Sequence, residues 1–320
     1  MTAFPCPGFP SPTPMRDAFG KALVQLGASN PDVVALTADL AEAVKVHWFA
    51  EKFPERFFEM GIAESDMMGT AAGLALAGKL PFATTFAVFA TSLANQAVRV
   101  SVGYNKANVK IATSHGGICV GADGATHQSF EDLALMRLIP GMTVIAPCDA
   151  NEAWKATFAA AALDGPVYLR FGRIPTAVFT LPEAPFVVGK ANRLREGSDV
   201  AIAATGMAVG LALEAAASLE ARGLSCRVLG VHTLKPLDEG EILAAASDCG
   251  ALVAAEEHTV IGGLGEAIAS LLARRRPTPM EFVGVADTFG ESGEPAEILE
   301  KYGITAGNIV QAALRSVSRK

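Results

Sequence analysis

The chain is poor in the residues that would tie it to a disulfide scaffold, a nucleic acid or a membrane. Its five cysteines, Cys6, Cys119, Cys148, Cys226 and Cys249, are odd in number and widely spaced, with no Cys-x-x-Cys pair. That argues against a disulfide framework or a cysteine zinc site and for reduced thiols in a cytoplasm. Basic residues are in deficit, 26 against 33 acidic, giving a net charge of −7. There is therefore no electrostatic footprint for nucleic acid or an anionic membrane surface. The one basic run, Arg274-Arg275-Arg276, follows an apolar helical pattern and reads as a solvent-facing complement to a helix C-terminus. Long apolar runs are missing too. The longest uncharged segment, Leu80 to Val98, holds Pro81, several threonines, Asn95 and Gln96, and is no membrane span. Residues 1–14 carry five prolines but neither a basic nor an apolar signal region, so they read as a flexible extension rather than a signal peptide.

What is present suits a soluble α/β protein. The 320 residues are 51% hydrophobic and 18% charged, enough for two domains that each bury a core, with central strands covered on both faces. Thr13-Pro14 launches a helix through Leu26. Strands are then expected at 33–37, 57–60, 81–86, 109–113, 142–146 and 166–171. Helices alternate with them, at about 64–77, 90–104, 130–138 and 151–162. Such alternation implies a mostly parallel, doubly wound sheet, in which functional groups gather beyond the strand C-terminal ends. Glu64, Phe86, His115 and Arg173 each fall there. Proline-broken pieces at 175–195 read as a linker. A second doubly wound α/β unit follows over 196–320, which leaves 15–174 as the first domain.

Three groups between Arg56 and Gln128 carry chemistry. Glu64 opens a helix, where the macrodipole alone would favour a carboxylate. The preceding Gly61-Ile62-Ala63 reads as an apolar, tightly packed approach that would partly desolvate it, the condition for a proton donor at neutral pH. Phe86 and Phe89 end a strand, where aromatics usually serve the core; they gain interest if a flat heteroaromatic must be stacked near Glu64. His115, Asp123 and His127 share a long loop with glycines at 116, 117, 121 and 124, and long loops inside compact domains are usually functional. Their spacing does not convincingly meet a metal-ligand pattern, and hydrogen bonding to a polyol substrate is at least as plausible. Three look-alikes fall away. Gly263-Leu264-Gly265 lacks the third glycine of a dinucleotide fingerprint. His115-Gly116-Gly117 has no Gly-x-Ser-x-Gly partner. Asp149-Ala150-Asn151-Glu152 reads as a capping box rather than the end of a Mg-diphosphate signature.

Taken together, Gly61-Ile62-Ala63-Glu64, Thr85-Phe86-Ala87-Val88-Phe89, Ser114-His115, Val120 to Gln128 and Pro140-Gly141-Met142 resemble the pyrimidine-binding half of a transketolase. Lys235-Pro236-Leu237-Asp238, Glu256 to Gly263 and Phe289-Gly290-Glu291-Ser292-Gly293 extend the resemblance to that family's C-terminal domain, and it covers nearly all of the chain from Met15 onward. It implies thiamine diphosphate as cofactor and transfer of a two-carbon ketol unit from a ketose phosphate to an aldose. The family's diphosphate-binding domain, with its Mg²⁺ site, is not in this sequence. The resemblance therefore implies the C-terminal subunit of a split enzyme, working with a diphosphate-binding N-terminal subunit, most simply as an α2β2 heterotetramer, with no metal ligand of its own.

The resemblance also assigns roles. Glu64 would hydrogen-bond the pyrimidine N1′ and promote removal of the thiazolium proton. Phe89 would stack on the pyrimidine, Phe86 would line the same pocket, and Asp39 would lie near the thiazolium. His115, Asp123 and His127 would contact sugar hydroxyls and phosphate, with both histidines counted in the catalytic set alongside Glu64. Arg173 and Arg16 would grip the sugar phosphate, a task that suits a planar guanidinium. Ala43 departs from the pattern, standing where many transketolases place a phosphate-contacting serine. Two readings compete. One is a 2-oxo-acid dehydrogenase β subunit or a deoxyxylulose-phosphate-synthase-like enzyme, against which His115 speaks. The other is a non-catalytic partner subunit, which would be expected to have lost Glu64 and the loop residues.

Overall fold

Val33–Thr37, Leu80–Phe86, Lys110–Ser114 and Val167–Arg170 are buried along their whole length. Strands covered on both faces need no alternation of apolar and polar residues, and each of these four is mostly apolar or β-branched. In the computed structural model, which describes residues 4–320, they form the centre of a seven-stranded sheet. Its order is Thr233–Lys235, Thr143–Ile145, Val167–Arg170, Lys110–Ser114, Leu80–Phe86, Val33–Thr37, Phe57–Glu59. The six strands between Val33 and Arg170 pair in parallel. A second sheet of five strands runs Met280–Val285, Leu252–Thr259, Val200–Ala204, Cys226–Gly230, Asn192–Arg195, with only the last antiparallel. Both units have the doubly wound α/β architecture expected.

Three features depart from the sequence reading. Thr233–Lys235, in the second half of the chain, joins the first sheet antiparallel to Thr143–Ile145. One apolar core accordingly runs through both units, from Val34 and Ile111 to Leu234 and Leu264. The expected linker is tied at both ends, because Pro175–Thr176 pairs with Thr13–Pro14 and Asn192–Arg195 is an edge strand of the second sheet. The capping box also reaches into it. Asp149 accepts from the Glu152 N–H at 2.9 Å and from the N–H groups of Phe179 and Thr180. Glu152 returns to the N–H of Cys148 rather than to that of Asp149, and it also accepts from Asn192.

The third departure concerns residues 1–14. Residues 1–3 lie outside the described part, but from Phe4 onward the segment is packed rather than free. Phe4 stacks on Phe158 at 5.0 Å, Phe9 lies against Trp154, and the Phe9 N–H donates to Asn151. Two aromatics spaced along a stiff proline-rich run find an apolar face on the helix Ala150–Ala162, and burying them holds the run in place. The expected helix 90–104 is wound as π-helical turns at Phe89–Leu93 and Val98–Tyr104 around Asn95–Ala97, a geometry frequent at functional sites. Among the described residues no helix is long and apolar enough to cross a membrane.

Candidate active site

The pairing of the central strands sets the first contact. Phe86, the last residue of its strand, lies opposite Ser114, so His115 emerges beside it at the same end of the sheet. His115 takes a left-handed backbone conformation, φ 60°, which a non-glycine residue holds only when its surroundings impose it. The turn brings its ring over Phe86, with centroids 3.7 Å apart and 26° between planes. Phe89, one helical turn further on, stacks on Phe86 at 5.8 Å. His127 closes the group, with edge contacts to Phe89 at 5.4 Å and to Phe86 at 6.2 Å. The two aromatics and the two histidines, separate signals in the sequence, thus form one wall.

Each histidine of the wall is oriented by the hydroxyl of the residue before it. Ser114 Oγ and His115 Nδ1 are 2.8 Å apart, and Thr126 Oγ1 and His127 Nδ1 2.9 Å. That leaves Nε2 of each ring for another partner. Sequence reasoning missed these hydroxyls, although the two hydroxyl-histidine pairs, Ser114-His115 and Thr126-His127, are a readable signal. His115 is buried, and its pKa falls to about 3, first through loss of solvent and then through the positive charges of Arg16 and Arg173 and the proximity of His127. The imidazole is therefore neutral across the physiological range.

Arg16 and Arg173 supply that positive field. Arg173 donates to the Val120 carbonyl and lies 3.8 Å from Asp123, so the expected arginine and aspartate meet on the loop. Arg16 donates through Nη1 to the Ala43 carbonyl at 3.0 Å, while its Nε is buried without an acceptor. Burial pulls the Arg16 pKa down, with Asp17 opposing and Arg173 adding to the effect. A buried, under-satisfied guanidinium donor beside a second arginine suits an anion.

Glu64 and Asp39 share this end of the sheet. Glu64 is the first residue of the helix Glu64–Leu76 and is 4% exposed. The approach before it is not packed as expected. Gly61 and Ile62 are exposed, Ile62 to 82%, so the burial of Glu64 does not come from them. Asp39 follows Val33–Thr37, is exposed, and has φ 57°. Glu59, missed by sequence reasoning, couples the two turns by accepting from the N–H groups of Asp39 at 2.7 Å and Gly61 at 3.0 Å. No hydrogen bond or ring contact among the described residues links Glu64 or Asp39 to the aromatic wall. Nor do three His, Cys, Asp or Glu side chains among those residues gather closely enough to hold a metal ion. At Gly263-Leu264-Gly265 the helix N-terminus is already filled by Glu256, whose carboxylate accepts from Leu264 and Gly265.

The chain is similar to known proteins over most of its length. The family model for the transketolase pyrimidine-binding domain matches residues 11–177, and that for the transketolase C-terminal domain matches 189–309. The chain is 44% identical over 306 residues to the 6-deoxy-6-sulfo-D-fructose transketolase subunit SqwH of Clostridium sp., covering 96% of this chain and 95% of that protein. It is 37% identical over 305 residues to an apulose-4-phosphate transketolase subunit of Phocaeicola vulgatus, covering 95% and 97%. A solved split gene transketolase, described as an inactive beta4 tetramer, superposes with a TM-score of 0.90 at 48% identity, over 95% of this chain and 98% of that one.

Proposed function

This chain belongs to the transketolase family, and from that premise we propose that it is the pyrimidine-domain subunit of a two-chain, thiamine-diphosphate-dependent transketolase. The observation that carries the reading is the wall of Phe86, Phe89, His115 and His127 beside two arginines. Two relatives whose names call them transketolase subunits are matched over 95% and 97% of their own lengths, which supports a subunit rather than a whole enzyme. The domains are taken as 15–174 and 196–320.

The residues present fit the cofactor's pyrimidine end. Phe89 is the ring available for stacking, because one face of Phe86 is already covered by His115. Glu64 offers a largely buried carboxylate at a helix start, suited to holding a proton on a ring nitrogen. Thiamine diphosphate, when bound, supplies the nucleophilic carbon and electron sink that two-carbon transfer requires. The chain's own residues bind and orient. His115 and His127, fixed through Nδ1, present Nε2 to sugar hydroxyls. Arg173, steadied by Asp123, and Arg16, with its free Nε, take the sugar phosphate, and Asp39 borders the thiazolium. The diphosphate and Mg²⁺ are assigned to the partner subunit, in an α2β2 assembly located in the cytoplasm. Exposed Ile62, two residues before Glu64, supports a second chain packing against this turn.

The test supplies the purified chain, a diphosphate-domain subunit, thiamine diphosphate and Mg²⁺ with a ketose phosphate and an aldose, or with pyruvate. A two-carbon-extended sugar identified by mass spectrometry is the expected product. Release of CO₂ from pyruvate without ketol transfer would select the dehydrogenase or deoxyxylulose-phosphate-synthase reading instead.

A further inference from the structure

Two motifs of the second domain end not at a site of their own but against the loop that carries His115, Asp123 and His127. Glu256, Glu257 and His258 close the strand Leu252–Thr259 and are all buried. Glu256 caps the helix Leu264–Arg275 of its own domain. His258 Nε2 accepts from the Ala134 N–H of the first domain. Glu257 reaches furthest: its Oε1 accepts from the N–H of Ile118 at 3.0 Å and of Cys119 at 2.9 Å. Its carboxylate occupies the place of a side chain at Gly117, where a Cβ would come within 2.2 Å of it and where φ is 101°. From below, Arg170 fills the corresponding place at Gly116, donates to Asp132 at 3.1 Å and to the Glu257 carbonyl at 2.8 Å. The Gly116-Gly117 turn is thus clamped between Arg170 and Glu257.

The other half of the loop is gripped by Gly290 to Ser292. Gln128 donates to the carbonyls of Ile118 and Glu291, at 2.8 and 2.9 Å, and its Oε1 lies where a Cβ on Gly290 would be. Ser292 Oγ donates to the Ala122 carbonyl at 2.9 Å and sits where a Cβ on Gly124 would be. A buried carboxylate is tolerated only when its oxygens are well partnered, and a left-handed histidine only when neighbours over-determine it. Glu257 and His115 meet those needs through the same turn.

We propose that the second domain is the mould of the substrate loop, with Glu257 the positioning residue that fixes His115 over Phe86 and Ser292 the one that fixes the turn carrying Asp123 and His127. That the moulded loop receives a sugar rests on the function proposed above; the moulding itself does not.

Hydrogen exchange read by mass spectrometry on the whole chain tests the mould, and steady-state kinetics of the reconstituted complex test its purpose. Glu257→Ala removes a charged acceptor shared by two amides. Exchange over 117–120 should rise roughly tenfold or more, while the strand Val200–Ala204 stays protected. Glu257→Gln keeps an acceptor oxygen and should hold exchange within about threefold of wild type. Ser292→Ala, at an exposed side chain, should loosen 121–126 alone and serves if Glu257→Ala does not fold. In the complex, Glu257→Ala should raise the KM for the ketose phosphate about tenfold with the thiamine diphosphate Kd nearly unchanged. Unchanged loop exchange in both Ala variants, or exchange raised equally throughout both domains, would overturn the mould. A loosened loop with an unaltered sugar KM would overturn its role in substrate binding. A wild-type complex without ketol transfer would count against the proposed function and leave the exchange result standing.

Discussion

Acidification should cost this protein stability through His115, and the size of the effect follows from its surroundings. Its folded pKa of about 3 lies well below the ordinary 6.5, because the ring is buried under Phe86 contact and faces Arg16 and Arg173. A group with a depressed folded pKa leaves stability in place above the unfolded value, here 6.5, and removes it as pH falls towards the folded value. The unfolded chain takes up the proton first. At pH 5 the unfolded state is favoured by about 2 kcal/mol relative to pH 7.5, from linkage between those two pKa values. His115→Gln removes this contribution. Urea unfolding of wild type and variant at pH 7.5 and 5 should therefore show wild type losing about 2 kcal/mol more than the variant over that interval. His232, also depressed by burial to about 4, is present in both and cancels. The more direct readout is the His115 ring ¹³Cε1 resonance, assigned by its disappearance in the variant: it should stay put from pH 8 to pH 5. A midpoint near 6 would refute the reasoning and make the wall a charged site rather than a neutral one.

Other consequences are similarly open to measurement. Phe89→Ala should weaken thiamine diphosphate binding to the assembled complex by about tenfold, from roughly 1 kcal/mol of ring stacking and the contact area lost with it; calorimetry giving an unchanged Kd would remove Phe89 from the cofactor site. Ile62→Asp, at an 82% exposed side chain, should leave the lone chain's melting temperature unaltered but place an unpaired charge in the subunit contact. Size-exclusion chromatography should then show assembly weakened by two orders of magnitude or so; undiminished assembly would put Ile62 outside the interface. Glu64→Gln should fold normally and lower turnover by about 10³-fold, the middle of the range for a lost proton-transfer group. Turnover near wild type would reject the assignment.

Sequence patterns and the structure agree most closely where the determinants are local. Val33–Thr37 is a continuous apolar and β-branched run because both its faces are covered, and Asp149 caps its helix three residues before Glu152 as the spacing implies. The candidate site residues stand out by type as well, two histidines and an aspartate on one glycine-rich loop, although His115 is itself packed, buried against Phe86. What escaped the sequence is non-local. The three residues Thr233–Lys235 have too short a pattern to announce that they cross to another sheet. Nothing near His115 reveals that strand register stacks it on Phe86, or that a carboxylate 139 residues from Ile118 holds its loop. Gly61-Ile62-Ala63 misled for a different reason: apolar residues mark a surface to be covered, but not whether the same chain covers it.

If this chain supplies half of a catalytic site, neither half should work without the other. Ketol transfer from a ketose phosphate to an aldose, measured for the chain alone, for a diphosphate-domain subunit alone and for the two mixed with thiamine diphosphate and Mg²⁺, tests that most directly. Transfer is expected only in the mixture, saturating at one-to-one stoichiometry. Transfer by either chain alone at the rate of the mixture would contradict it.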